Sequence, residues 1–146
     1  MRSNERHQEW IADFIHENVP NGQVIAVWGL TFKAGTDDLR SSPSLALIRR
    51  LADQGGYRFQ LYDPTVHMQQ LDQLHDVEHI CTQTAVQAVQ SADALLIMVP
   101  WEEFQEQSLC NIVDFMNKKM IFDLCRLCKN ERFERQDIQY WRLGER

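Results

Sequence analysis

Several things are scarce or absent in this 146-residue sequence, and each absence removes a class of protein. No apolar run approaches the roughly 18 residues that a membrane-spanning helix requires. The first ten residues, MRSNERHQEW, contain no apolar core of a secretory signal. The four cysteines, Cys81, Cys110, Cys125 and Cys128, are too few and too scattered for a disulfide scaffold, so a reducing cytoplasm is the expected location. There is no excess of positive charge. The net charge is -6 and the pI about 5.3, which argues against a protein held on nucleic acid by bulk electrostatics. A small anion bound by a few local cations remains compatible. Neither the Walker P-loop nor G-x-G-x-x-G occurs, and there is no internal repeat or low-complexity segment.

What is present is an ordinary globular composition, 44% apolar and 25% charged, in a chain long enough for one domain and its core. The most informative stretch is Val24 to Ser44, VIAVWGLTFKAGTDDLRSSPS. Val24 to Trp28 is uncharged and rich in β-branched residues, as in a strand covered on both faces of a parallel sheet. Gly29 to Arg40 is a long polar loop with two glycines, the Asp37-Asp38 pair, Lys33 and Arg40. Ser41-Ser42-Pro43 then supplies a capping serine and a first-turn proline for a helix. A strand, a glycine-bearing loop and a helix in this order place ligands at the carboxyl end of a parallel sheet. Free backbone N–H groups, a helix N-terminus and the two cations suit a phosphate-bearing ligand. The plainer alternative is a surface loop whose charges pair with one another.

Along the chain, the spacing predicts helices over Asn4–Asn18, Pro43–Gln54, Met68–Leu74 and Thr84–Gln90, with short helical pieces at Trp101–Gln107 and Ile112–Asn117. Trp10, Ile11, Phe14 and Ile15 are expected to form one apolar face of the first helix. Strands are predicted at Val24–Trp28, Tyr57–Tyr62, Val77–Cys81, Ala94–Val99, Met120–Asp123 and Ile138–Trp141. Gly55-Gly56 ends the second helix, and Asp63-Pro64 reads as a turn that stops a strand. Strands alternating with helices give an α/β, three-layer domain with a mainly parallel sheet, preceded by an N-terminal helix. The division expected is residues 1–21 as that helix and 22–146 as the ligand-binding domain.

The run from Gly29 to Pro43 closely resembles the G-L-x-F-K-x-x-T-D-D-x-R-x-S-P signature that opens the C-terminal domain of the UDP-glucose/GDP-mannose dehydrogenases. Further matches follow in order: Tyr62-Asp63-Pro64, Ser91-Ala92-Asp93-Ala94, Trp101-Glu102-Glu103-Phe104 and Ile121-Phe122-Asp123. The resemblance covers about Gly22 to Gly144. It implies a Rossmann-like domain that closes over the nucleoside diphosphate half of a nucleotide sugar, UDP-glucose or a relative. Family enzymes oxidise the primary alcohol of that sugar to a carboxylate, using NAD held by a separate N-terminal domain, and they dimerise through a central domain. Carried over by motif, Phe32 and Lys33 contact substrate, Lys33 through charge-assisted hydrogen bonds. Arg40 reaches across the cleft to NAD. Residues 1–21 then read as the tail of the central connecting helix.

Two departures stand out. The family usually ends its fifth strand in Asp-Gly-Arg, and that arginine binds the nucleotide. Here the run is Asp123-Leu124-Cys125-Arg126, so Cys125 takes the arginine position and Arg126 comes one residue late. A one-residue shift in extended chain reverses the face. Either Arg126 still reaches the nucleotide, or the site is altered. The chain also lacks the NAD-binding fingerprint and the family's catalytic cysteine motif, so alone it is not expected to oxidise a substrate. The rival reading is a non-catalytic interaction or regulatory module that keeps the fold and pairs, as a homodimer, through the Asn4–Asn18 helix.

Three smaller features have plainer readings. Cys125-x-x-Cys128 has no second ligand pair at metal spacing and reads as coincidence. Asp37, Asp38 and Asp63 resemble a response-regulator acidic set only loosely, because the pair lies well beyond the first strand. Trp101 and Phe104 read as core, His67, His75 and His79 as surface.

Overall fold

The computed structural model describes residues 2–31, 39, 42–66, 71–106, 108–127 and 136–143. The elements run α1 (Arg2–Asn18), β1 (Val24–Trp28), α2 (Pro43–Gly55), β2 (Arg58–Tyr62), a 3-10 turn (Asp72–Leu74), β3 (His79–Cys81), α3 (Ala85–Val89) and β4 (Ala94–Ile97). Then come α4 (Glu102–Gln105), α5 (Leu109–Ile112) running into a 3-10 turn (Val113–Phe115), β5 (Met120–Asp123) and β6 (Gln139–Arg142).

The six strands form one sheet in the order β3-β2-β1-β4-β5-β6, and every pairing is parallel. Alternate residues along β1 and β4 explain why both read as unbroken apolar runs. Ile25, Val27, Ala94 and Leu96 enter the core under α1 and α2, while Ala26, Trp28, Leu95 and Ile97 enter the core under α3, α4 and α5. Trp28 is fully buried, and its indole N–H is satisfied by the Ala85 carbonyl at 3.0 Å. The three-layer α/β expectation is met, with a sheet that is parallel throughout the described strands.

The helix ends follow the sequence signals. Ser42 accepts the Leu45 N–H through its hydroxyl at the N-cap of α2, and Pro43 opens the helix. Gly56 ends it in the left-handed conformation at φ 62°, its N–H bonded to the Ala52 carbonyl. Three boundaries differ from expectation. The helix predicted at Ile112–Asn117 begins earlier, at Leu109, and tightens into the 3-10 turn that ends at Phe115 before the chain extends at Met116. The Met68–Leu74 piece is a 3-10 turn from Asp72 within the described residues. The third strand shrinks to His79–Cys81 because it lies at the sheet edge with a single partner.

Helix α1 packs on its own domain. Ile11, Ala12 and Ile15 are buried, and Phe14 meets Trp141 and Phe122 edge-on at 5.7 and 6.2 Å. Trp10 departs from the predicted apolar face. It is 52% exposed and stacks on His7 and Phe14 instead of entering the core.

Candidate functional site

The register brings the carboxyl ends of the strands to one level: Trp28 lies beside Tyr62 and Ile97, Ile97 beside Asp123, and Asp123 beside Arg142. Helical connections leave β1 and β4 in opposite directions across the sheet, so a crevice forms between their carboxyl ends, where ligands of open α/β sheets bind. Gly29 stands at this point with φ 98°. A Cβ there would meet the Val99 backbone nitrogen at 2.8 Å and its Cβ at 2.7 Å. Only glycine allows the two chains to pass this closely.

Asp63 organises the crevice floor. Its side chain is 95% buried, and Oδ2 accepts the Leu30 N–H at 2.7 Å and the Thr31 N–H at 3.3 Å. The same oxygen lies 3.3 Å from the donating Trp101 indole N–H. Oδ1 accepts the Thr65 N–H and hydroxyl, each at 2.9 Å. The sequence reading of Asp63-Pro64 as a strand-stopping turn therefore understates this residue, which ties the ends of β1, β2 and the segment after β4 together. Ser42 adds a further tie: while capping α2 it donates its hydroxyl to the Leu30 carbonyl at 2.6 Å.

The neighbouring aromatic motif divides. Phe104 is fully buried and stacks on Trp28 at 4.9 Å, as the core reading expects. Trp101 is half-buried and faces Asp63, so it belongs to the site. Tyr62 donates to Glu103 at 2.7 Å. Burial first, then the bond to Glu103, raises the Tyr62 pKa and keeps the phenol a donor. Tyr62-Asp63-Pro64 and Trp101-Glu102-Glu103-Phe104, distant in sequence, thus interlock as one wall.

Beside β4, Asp123 repeats the Asp63 arrangement. It is fully buried; Oδ1 accepts the N–H groups of Cys125 at 3.2 Å and Leu127 at 3.0 Å, and Oδ2 accepts the Tyr140 hydroxyl at 2.6 Å. This folds residues 123–127 into a tight turn. Arg126 sits in it at φ 58°, exposed, while Cys125 is half-buried against the α3–α5 side of the core. Arg126 is therefore in a left-handed turn and not in extended chain, and the simple alternation rule does not describe its direction.

Of the sequence-predicted site residues, Phe32, Lys33 and Arg40 lie outside the described residues, as do the Asp37-Asp38 pair and Cys128. Their flanks, Thr31 and Ser42, lie at the carboxyl end of β1, and Arg126 lies on the turn after β5. Asp123 and Glu103 stand in the motifs already noted, but their roles, the part played by Tyr140 and the clamp role of Asp63 escaped the sequence reading. The available signal was an aspartate directly after β2 and another closing β5, each a carboxylate too close to the core to remain unpaired. The response-regulator alternative fails on topology: such folds order their strands 2-1-3-4-5, not 3-2-1-4-5-6.

A parallel sheet in 3-2-1-4-5-6 order, with its crevice at the β1/β4 reversal and a glycine at the crossing, defines a Rossmann-type ligand-binding domain. The model of the UDP-glucose/GDP-mannose dehydrogenase family, UDP binding domain, matches residues 26–130, so the chain belongs to this family. It is 32% identical over 136 residues to a UDP-glucose 6-dehydrogenase of Rickettsia bellii, covering 93% of this chain and 31% of that protein. Among solved structures it resembles a UDP-D-ManNAc dehydrogenase from Pyrococcus horikoshii, with a TM-score of 0.77, 27% identity and coverage of 98% of this chain and 32% of that one. A UDP-N-acetyl-mannosamine dehydrogenase from Staphylococcus aureus matches with a TM-score of 0.68, 28% identity and coverage of 92% and 30%. The chain thus spans about a third of the length of the relatives it matches and corresponds to the C-terminal domain of the family.

Proposed function

We propose that this chain binds the nucleoside diphosphate half of a UDP-sugar, as the C-terminal domain of an NAD-dependent nucleotide-sugar dehydrogenase. The observation that carries the reading is the family's signature loop leaving the carboxyl end of β1, its first residues fixed by Asp63 at the β1/β4 crevice. In this reading Lys33 supplies charge-assisted hydrogen bonds to the ligand, Phe32 packs on it, and Arg40 faces NAD held by another domain. The described crevice residues offer an aromatic wall beside the signature loop, which fits a binding role inside a larger enzyme. Residues 1–21 act as the end of a connecting helix. The remaining domains supply NAD binding, catalysis and a homodimer contact, in the cytoplasm. No helix among the described residues is long and apolar enough to cross a membrane.

Calorimetric titration with UDP-glucose, UDP-glucuronate and GDP-mannose at low salt tests this. Saturable binding of a UDP-sugar, weakened by Lys33→Ala by about 1.5–3 kcal/mol, the loss typical of a hydrogen bond to a charged group, is the expected result. Equal affinity of Lys33→Ala removes Lys33 from the site.

A second reading, a non-catalytic interaction module, draws on one observation. The position at which the family places its nucleotide-binding arginine holds the half-buried Cys125, and Arg126 stands exposed on a left-handed turn. Wild-type affinity for every nucleotide sugar in Arg126→Ala would favour an altered site of this kind.

A further inference from the structure

We propose that Asp63 determines specificity by closing, from inside the protein, the subsite at which a sheet of this order would take the pyrophosphate and ribose of a dinucleotide. The inference deepens the nucleotide-binding reading and rests on it for the location of the ligand.

In a dinucleotide-binding sheet of 3-2-1-4-5-6 order, the N–H groups of the first turn after β1 face the pyrophosphate, and a carboxylate at the end of β2 accepts the ribose hydroxyl. Both groups exist here, and they are joined to each other. The Gly29 N–H continues the sheet to the Tyr62 carbonyl at 2.8 Å. The next two, Leu30 and Thr31, both donate to Asp63 Oδ2. Asp63 directly follows Tyr62, the last residue of β2, and so occupies the ribose-acceptor position. Its other oxygen is engaged by the N–H and hydroxyl of Thr65. A dinucleotide entering this turn would find its N–H donors occupied, its ribose acceptor turned inward, and a buried negative charge where its own negative charge must rest. The Trp101 indole, donating to the same oxygen, closes the arrangement from the β4 side. Asp63 therefore does the work of a resident anion. The domain is left to bind a mononucleotide diphosphate away from the first turn, and a dinucleotide must be held by another domain.

The experiment titrates the wild-type chain, Asp63→Ser and Asp63→Asn with ADP-ribose, inorganic pyrophosphate and UDP, with thermal melts run alongside. Asp63→Ser frees the Leu30 and Thr31 N–H groups and removes the charge. Asp63→Asn removes the charge but keeps an acceptor, and so holds the local shape if the serine variant unfolds. The expected result is no ADP-ribose competition on the wild type at 100-fold the UDP dissociation constant. Pyrophosphate affinity should rise at least tenfold in Asp63→Ser and to a smaller extent in Asp63→Asn. ADP-ribose displacing UDP from the wild type at comparable concentration would overturn the proposal, and so would a folded variant of either kind with no gain for pyrophosphate. A wild-type chain that binds no UDP sinks the functional reading alone, because the pyrophosphate gain is measured without it.

Discussion

At the amino end of the sheet the connections close on themselves through the backbone: Gly22 donates to Gly55, Arg58 to Gln23, Asn117 to Ala92 and Gln139 to Lys119. Asp93 is the one buried carboxylate at that end among the described residues. It accepts the Val24 N–H at 3.0 Å while its own N–H donates to the Val24 carbonyl, a closed pair that fixes β4 beside β1. At the carboxyl end the chain leaves in longer excursions, and two buried carboxylates, Asp63 and Asp123, collect the N–H groups that the connections cannot satisfy among themselves. The difference follows from the length of the connections. A tight turn needs no outside acceptor, whereas a long connection has its first residues held by something other than its own backbone.

The sharpest way to break the contrast is to crowd the crossing point. Gly29→Val imposes a positive φ on a β-branched residue and drives its Cβ into the Val99 backbone. The two costs together come to roughly 2–6 kcal/mol, and the expected result is a large fall in the urea midpoint. A midpoint equal to wild type would contradict the close approach. Next, Asp123→Ala strips the Cys125 and Leu127 N–H groups and the Tyr140 hydroxyl of their acceptor inside the protein. It should cost about 2–4 kcal/mol and disturb residues 123–127, whereas Asp93→Ala at the other end should destabilise without altering UDP binding. Equal effects of the two on UDP affinity would erase the distinction between the ends.

A smaller loss is expected from Ser42→Ala, about 1 kcal/mol for the cap of α2, with some addition from the Leu30 tie; denaturant melts measure it. The smallest effect concerns pH. Tyr62 titrates above its ordinary value of 10.0 in the folded protein because it is partly buried and donates to Glu103. Its contribution to stability is therefore complete below pH 10 and is lost as the pH rises above 10 toward the raised folded value, since the unfolded state releases its proton first. Tyr57, raised by burial, adds to the same alkaline fall. Tyr62→Phe should make that fall shallower, and an unchanged slope would contradict the phenol–carboxylate contact.

The sheet and its helices were largely legible from residue patterns. β1 and β5 fall where the apolar runs place them, and the Ser42-Pro43 start and Gly56 end of α2 follow from local chemistry alone. Edge elements were read less well, because β3 and the Leu109–Phe115 segment owe their limits to neighbours and not to their own periodicity. Trp10 was misplaced for a related reason. Helical spacing gives a face, but only the packed partner, here Trp141 and Phe122, decides how far around the helix the core extends. The site was legible as a location and as a signature loop, not as a hydrogen-bond scheme. Asp63 and Asp123 look like strand stops in a sequence, and their work depends on donors between two and thirty-eight residues away in the chain. Arg126 was expected to obey strand alternation, but Asp123 curls the chain before that rule applies.

The measurement that tests the central claim most directly is amide chemical-shift mapping of the isotope-labelled 17.2 kDa chain during titration with UDP. Nucleotide binding at the carboxyl end predicts saturable shifts at Trp101, Leu124 and Cys125, with Gly22, Asp93 and Lys118 at the amino end unmoved. Shifts concentrated at the amino end, or in the α3-side groove lined by Gln60, Gln83 and Gln87, would contradict it.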